Sequence, residues 1–254
     1  MGVYFRSRSA GWRVAFALAG GVIVAQGLPF SAEPTVARPG SPHRATLEVV
    51  TGTARIVDGD TIDIAGRRVR LEGIDAPEAA QTCPGRYAGG LLGPWRCGIA
   101  ATSALSRLIG SSKATCEVHE TDKYDRLIAT CFAGGRNLNR EMVLRGHAWA
   151  FVKYSNSYAA EERQAKTGKT GIWASAQEPQ PAWDFRARRW ANAEEVAPEG
   201  CVIKGNISKR GERIYHTPWS PWYQKVRVSA PDGERWYCDE AEAMAAGFRP
   251  AVGR

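Results

Sequence analysis

Apolar and polar residues alternate over two short stretches of the chain. Ile62 and Ile64 alternate with Thr61 and Asp63, and Val69 and Leu71 alternate with Arg68 and Arg70. A period of two sends successive side chains to opposite faces of a pleated strand, so each stretch predicts a half-buried strand. Asp58-Gly59 is a turn dipeptide before the first, and Ala65-Gly66-Arg67 can turn the chain back between them. With Val69 and Leu71 facing a core, Arg70 points out the other side. Pro77 biases Ala76 away from helix, so Asp75 and Glu78 fall on an irregular segment after the second strand. Farther along the period lengthens. Ala101, Leu105, Leu108 and Ile109 stand at helical spacing, which predicts a helix over Ile99 to Ile109 stopped by Gly110. Leu138 to Arg145, closed by Gly146, and the charged Ala159 to Lys169 predict two more. Strand-like runs carrying Cys116 and Cys131 flank the Asp122-to-Arg126 loop. If those cysteines oppose each other, Val118 opposes Ala129 on the same face. Trp149, Phe151 and Tyr154 form an aromatic run between the second and third helices. Trp149 is assigned to the core; for Tyr154, packing and a stacking wall for a base both stay open.

Domain limits follow from these runs and from composition. Residues 45–176 are long enough for one compact domain. Residues 177–200 read as a linker carrying a helix over Asp184 to Val196, with Trp183 and Trp190 as packing contacts. Residues 201–254 read as a small module, too small for a large core and so in need of a disulfide. That module shows no catalytic set, and His216 in it reads as structural. At the other end, Arg6, Arg8 and Arg13 precede the uncharged, largely apolar stretch from Val14 to Leu28. Residues 1–32 therefore read as a signal peptide and 33–44 as a linker, placing the mature protein outside the cell or in the periplasm; an uncleaved membrane anchor is the alternative. The chain has six cysteines. Their even number and local spacing favour disulfides over free thiols, and the lack of any C-x-x-C pair argues against zinc. Cys83 and Cys97 bracket a loop rich in Gly and Pro, Cys116 and Cys131 suit a cross-strand bond, and Cys201 and Cys238 remain for the tail. The formal charge of +8 falls to +5 once the three arginines of residues 1–32 are removed. A basic surface favours polyanions.

The candidate chemistry lies between Asp58 and Glu78. Asp58-Gly59-Asp60-Thr61, Arg68-Val69-Arg70-Leu71 and Asp75-Ala76-Pro77-Glu78 place carboxylates and guanidinium groups on one strand-turn-strand unit. Hard cations want oxygen ligands and phosphates want guanidinium forks, so the unit suits a metal and a phosphate in one cleft. A solvated hairpin with incidental charges is the blander reading, and the whole set at this spacing weighs against it.

These motifs, followed in order by Asp122-Lys123-Tyr124-Asp125-Arg126, Asn137-Leu138-Asn139, Arg145-Gly146-His147-Ala148 and Gly171-Ile172-Trp173, resemble the staphylococcal-nuclease-like (thermonuclease) family over about Leu47 to Trp173. The resemblance implies an α+β fold: a five-stranded OB-fold β-barrel with three helices. It implies a calcium ion held by Asp60, Asp75 and the carbonyl of Ala76, with Asp58 behind them. Glu78 would be the general base, Arg70 and Arg126 would grip the scissile phosphate, and Lys123 and Tyr124 would contact a terminal phosphate. The implied activity is calcium-dependent hydrolysis of DNA or RNA within the chain, leaving 3′-phosphates, with no stable protein partner. A non-catalytic OB-fold module of the cell envelope that binds nucleic acid is the alternative. The segment after Cys201 resembles an extension of bacterial members. One departure stands out: Asp125 occupies a position that is usually glycine in the family, where its carboxylate could pair with Arg126.

Overall fold

A computed structural model describes residues 48–85, 93–195 and 197–251. The expected signal segment and the linker at 33–44 lie outside the described residues. Strand β1 (Val49–Gly52) pairs antiparallel with β6 (Ala114–Thr121), and β2 (Ala54–Ile56) pairs with β3 (Thr61–Ile64). Only Thr53 separates β1 from β2, so one bent run serves two neighbours. β3 forms a hairpin with β4 (Arg67–Leu71), which lies parallel to β7 (Leu127–Ala133), and β7 returns antiparallel to β6 and pairs with the two-residue β8 (Arg136–Asn137). Five runs thus nearly close on themselves as an OB-fold barrel, and the fold class is α+β.

The period-two pattern explains the interior. Ile62, Ile64, Val69, Leu71, Ala129 and Cys131 are buried, while Arg68 and Arg70 leave by the other face of β4. Cys116 lies opposite Cys131 in the ladder and is bonded to it, with Val118 opposite Ala129. Helix α1 (Cys97–Ile109) covers the barrel with Ala101, Ala104, Leu105 and Leu108. It begins two residues before the expected start, because Cys97 and Gly98 are themselves buried. Helix α2 (Leu138–Leu144) is capped by the Asn137 side chain, which accepts from the Arg140 amide. Helix α3 (Ala159–Thr167) packs by Ala165 into a second cluster with Trp149, Ile172, Trp173 and the Cys83–Cys97 disulfide.

Residues 177–200 are not a free linker. Helix α4 (Ala182–Glu194) starts and ends two residues earlier than the sequence suggests, with Pro181 at its N-cap. Its first turn belongs to the second cluster, where Trp183 stacks on Phe151 at 5.4 Å and meets Trp149 edge-on. Its last turn places Ala193 in the core of the C-terminal module, with Trp190 packed against it. One helix therefore joins two cores. The module is a sheet in the order β12-β10-β11-β13, built from β10 (Ile203–Ile207), β11 (Arg213–His216), β12 (Arg235–Tyr237) and β13 (Arg249–Pro250). Helix α5 (Glu240–Ala245) is capped by Asp239, and Cys201 is bonded to Cys238. His216 is buried between Asn206 and Ser220, as a structural histidine should be.

Candidate active site

The turn before β3 is set by its own backbone. The amides of Val57 and Asp58 both donate to the Thr61 carbonyl, and Asp58 Oδ1 accepts from the Asp60 amide at 3.0 Å. A β-carbon on Gly59 would stand 2.7 Å from that of Ala76 and 2.8 Å from that of Ala101, so only glycine lets the turn press this closely. The result aims Asp60 inward at 4 % exposure. Its Oδ1 accepts from the Thr61 hydroxyl at 2.9 Å and from Arg70 Nη1 at 2.6 Å, and its Oδ2 accepts from the Ala76 amide at 2.9 Å. Asp75 is fully buried on the two-residue strand β5 (Ile74–Asp75), which pairs with β9 (Trp149–Ala150). Arg70 reaches it with Nη2, 2.9 Å from Oδ1. Arg70 thus spans the two aspartates.

Glu78 sits on the loop after β5, and three devices hold that loop. A β-carbon on Gly98 would fall 1.7 Å from the Glu78 carbonyl, so α1 lies directly against its backbone. The Cys83–Cys97 bond ties the loop to the first residue of α1. Buried Gln81 accepts from the Glu78 amide and donates to the Gln180 carbonyl at 2.7 Å, joining the loop to the start of α4. From α4 comes a residue absent from every motif discussed above. Arg186 donates through Nη2 to Asp75 Oδ2 at 2.8 Å and through Nη1 to Asp75 Oδ1 at 3.1 Å and Glu78 Oε1 at 2.7 Å. Such charge-assisted forks are among the stronger hydrogen bonds in proteins. No local pattern marks Arg186, which is one of three arginines between residues 186 and 189.

Burial and charge set these groups apart. Burial, with the charges of Asp60 and Glu78, pushes the Asp58 carboxyl up to about 8. Burial likewise raises Glu78 to about 7, against the pull of Arg186. Burial would raise Asp60 too, but Arg70, the Ala76 amide and Arg186 together hold it below the usual carboxylate range. A neutral-leaning Asp58 and Glu78 beside an ionised Asp60 is the separation that acid–base chemistry exploits.

The remaining expected residues line the same cleft. Arg126 follows Asp125, whose φ of +56° is the left-handed conformation that glycine usually supplies and aspartate tolerates. The partner of Arg126 is Asp122, not Asp125: Nε and Nη2 donate to Asp122 Oδ2 at 2.8 and 2.7 Å. Asp122 Oδ1 also accepts from the amides of Tyr124 and Arg126, so one carboxylate shapes the whole loop. The Tyr124 ring carries Lys123 at 4.8 Å and Arg126 at 5.2 Å. Tyr154 stands 73 % exposed at the rim, edge-on to Phe151. The cleft measures 1310 Å³, and the module supplies part of its wall through Tyr215, Trp219, Met244, Phe248 and Arg249. An assignment of all the chemistry to the first domain thus leaves out both Arg186 and this wall.

Asp60, Asp75 and the Ala76 carbonyl are hard oxygen donors of the kind calcium prefers. As arranged, they do not fit the ion. Both Asp75 oxygens face guanidinium groups, both Asp60 oxygens accept from arginine, hydroxyl or amide, and among the described residues no group of three or more His, Cys, Asp or Glu is placed to hold a metal. Arg186 stands where a cation would.

An OB barrel whose cleft joins buried aspartates, a raised glutamate and several arginines points to a class, the phosphodiester-hydrolysing nucleases. Comparison with known proteins makes the class particular. Residues 68–175 match the family model described as staphylococcal nuclease homologue, and residues 186–250 match a model described as ArfC. A micrococcal nuclease of Shigella flexneri is 32 % identical over 151 residues, covering 52 % of this chain and 77 % of that protein. The succinoglycan biosynthesis protein ExoI of Rhizobium meliloti (strain 1021) is 37 % identical over 134 residues, 52 % of this chain and 68 % of that one. A probable staphylococcal-like nuclease of Oryza sativa subsp. japonica is 33 % identical over 132 residues, 51 % of this chain but 31 % of that longer protein. The chain belongs to the staphylococcal nuclease homologue family. Arg186 is the first residue of the ArfC match and lies outside the nuclease one.

Proposed function

We propose that the protein is an exported, calcium-dependent endonuclease that hydrolyses phosphodiester bonds of DNA or RNA and leaves 3′-phosphates. The observation that carries this reading is the bridge of Arg70 across buried Asp60 and Asp75, with Glu78 beside it. Glu78, once Arg186 withdraws, accepts the proton of an attacking water. Its raised affinity for protons suits a base working near neutral pH. The water oxygen bonds to phosphorus, the bond to the 5′-oxygen breaks, that oxygen takes a proton from solvent water to leave as a hydroxyl, and Arg70 stabilises the negative charge that grows on the phosphoryl oxygens. Arg126 immediately precedes β7, the strand paired with β4, and is the second guanidinium for that charge, and Lys123 and Tyr124 lie beside it for a terminal phosphate. Asp60, Asp75 and the Ala76 carbonyl would hold calcium only once Arg186 has left Asp75, and the ion would then supply further positive charge beside the phosphate. Three disulfides and the basic, apolar start of the sequence support export.

The occupation of both Asp75 and Glu78 by Arg186 favours a second reading, an OB-fold module that binds nucleic acid without cutting it. Incubation of labelled single- and double-stranded DNA and RNA with calcium or with chelator separates the two. The enzyme reading expects cleavage in calcium that chelation abolishes. Binding without cleavage in calcium would select the second reading, and full activity in chelator would remove the metal from the first.

A further inference from the structure

Arg68 and Arg70 leave the same face of β4, two residues and so about 7 Å apart. Arg70 is fully engaged, but Arg68 is not. Its Nε is buried without a hydrogen-bond partner, and the nearest carboxylate oxygen, Asp63 Oδ2, is 3.9 Å away. A buried donor left unmade is costly, and a guanidinium beside a phosphate-directed cleft has an obvious acceptor in a second phosphate. Also in the cleft lining, Trp190 lies four residues beyond Arg186 and so on the same face of α4. Trp190 pairs with Trp219 of the module, ring centroids 6.1 Å apart and tilted by 32°, and its Nε1 is anchored on Glu194 at 2.7 Å. Arg68, Trp190 and Trp219 line one cleft.

We infer that the C-terminal segment completes a subsite for single-stranded nucleic acid next to the scissile position, with Arg68 holding a backbone phosphate and the Trp190–Trp219 pair stacking a base. This inference rests on the nucleic-acid reading above and names its substrate class. A free strand offers base faces to an indole, whereas a duplex has already stacked them and must spend a few kcal/mol to release one. The wall therefore selects for single strands. Trp222 is 39 % exposed and lies outside the cleft lining, so it serves as a control.

The test uses the full chain and fluorescence anisotropy in chelator, with a labelled single-stranded 12-mer and a hairpin duplex of the same composition. Trp219→Leu and Arg68→Gln are each expected to weaken single-strand binding by about tenfold, the scale of one lost stacking or phosphate contact. Hairpin binding should stay as in the parent, and Trp222→Leu should bind both as the parent does. Should Trp219→Leu melt far below the parent, Arg68→Gln decides alone. Parental single-strand affinity in the variants, or equal losses on the strand and the hairpin, would overturn the subsite. Cleavage assays keep this apart from the nuclease reading: selective binding without cleavage sinks only that reading, and cleavage without selective binding sinks only this subsite.

Discussion

Arg70 and Arg186 answer for the same buried carboxylate, but they reach it from different parts of the chain. Arg70 is fixed by the strand that also builds the core, and its bonds to Asp60 and Asp75 follow from a two-residue period and a turn. Glu78 depends on more: the close approach of Gly98, a disulfide and Gln81. Glu78→Gln keeps shape and the Arg186 contact but removes the proton acceptor. Turnover should fall by at least about 10²-fold with the melting temperature close to the parent's, as for loss of a positioned base. Hydrolysis at the parental rate would take the base assignment away from Glu78. A second prediction concerns His216. Burial, with Lys204 nearby, pulls its ring down to about 4 from the usual 6.5. The folded state therefore favours the neutral ring, and this contribution is complete above pH 6.5 and lost as pH falls through 4. Asp58 and Glu78 shift the opposite way, so the difference between parent and His216→Gln isolates the histidine. The melting advantage of the parent should shrink from pH 7 to pH 4; a constant difference would show that His216 does not titrate in this way.

Among the elements, β3, β4, β6, β7 and the first two helices are legible because each needs only its own hydrophobic period or a glycine stop, whereas the short strands of the module carry no such signal. Helix α4 was visible as a helix, yet its consequence was not. Which of its charged residues enters the cleft depends on Trp183 stacking on Phe151 at one end and Ala193 entering the module core at the other. No local signal reports a docking angle. Arg126 shows the same limit: its loop was recognisable, but its choice of Asp122 over the neighbouring Asp125 is set by the turn that Asp122 itself organises. Asp125→Gly should therefore leave activity near the parent's, since the partner of Arg126 is untouched; a drop of tenfold or more with normal folding would give Asp125 a role of its own. For α4 the expectation is sharper. Arg186→Ala leaves buried Asp75 with one guanidinium fewer, which should cost roughly 2–3 kcal/mol in chelator, near the lower end for a broken buried pair because Arg70 remains. Calcium should then recover more melting temperature in the variant than in the parent and bind it roughly tenfold or more tightly, because no resident cation must first be displaced. Titration by terbium luminescence reads this without any activity. Equal affinity in parent and variant would mean that Arg186 does not compete for the site.

At the scale of the whole molecule, three disulfides each serve a different layer. Cys116–Cys131 lies inside the barrel, Cys83–Cys97 steadies the Glu78 loop, and Cys201–Cys238 closes the module that walls the cleft. The local pairings could be read from spacing, but the relation between module and cleft could not, since it arises from side chains more than a hundred residues apart. That relation makes the last bond a test of how the parts cooperate. Its cysteines are 37 residues apart, which on the chain-entropy model restricts the unfolded module by about 4 kcal/mol. The module's own core is small: Val202, Ile203, Tyr215, Tyr223, Tyr237 and Phe248 carry most of it. Replacing both cysteines by alanine should therefore loosen the module well before the barrel, whose core and two disulfides are untouched. Trp219 and Phe248 would leave the cleft wall, while Arg70, Asp60, Asp75 and Glu78 would stay in place. The double variant should then keep turnover on a dinucleotide-sized substrate within about threefold of the parent and lose about tenfold in affinity for a longer single strand, the loss of a stacking contact. Its thermal unfolding should separate into two steps, the earlier one absent from the parent. A single unfolding step with parental strand affinity would show that the module is held by its contacts with α4 alone and that the disulfide adds nothing to the cleft.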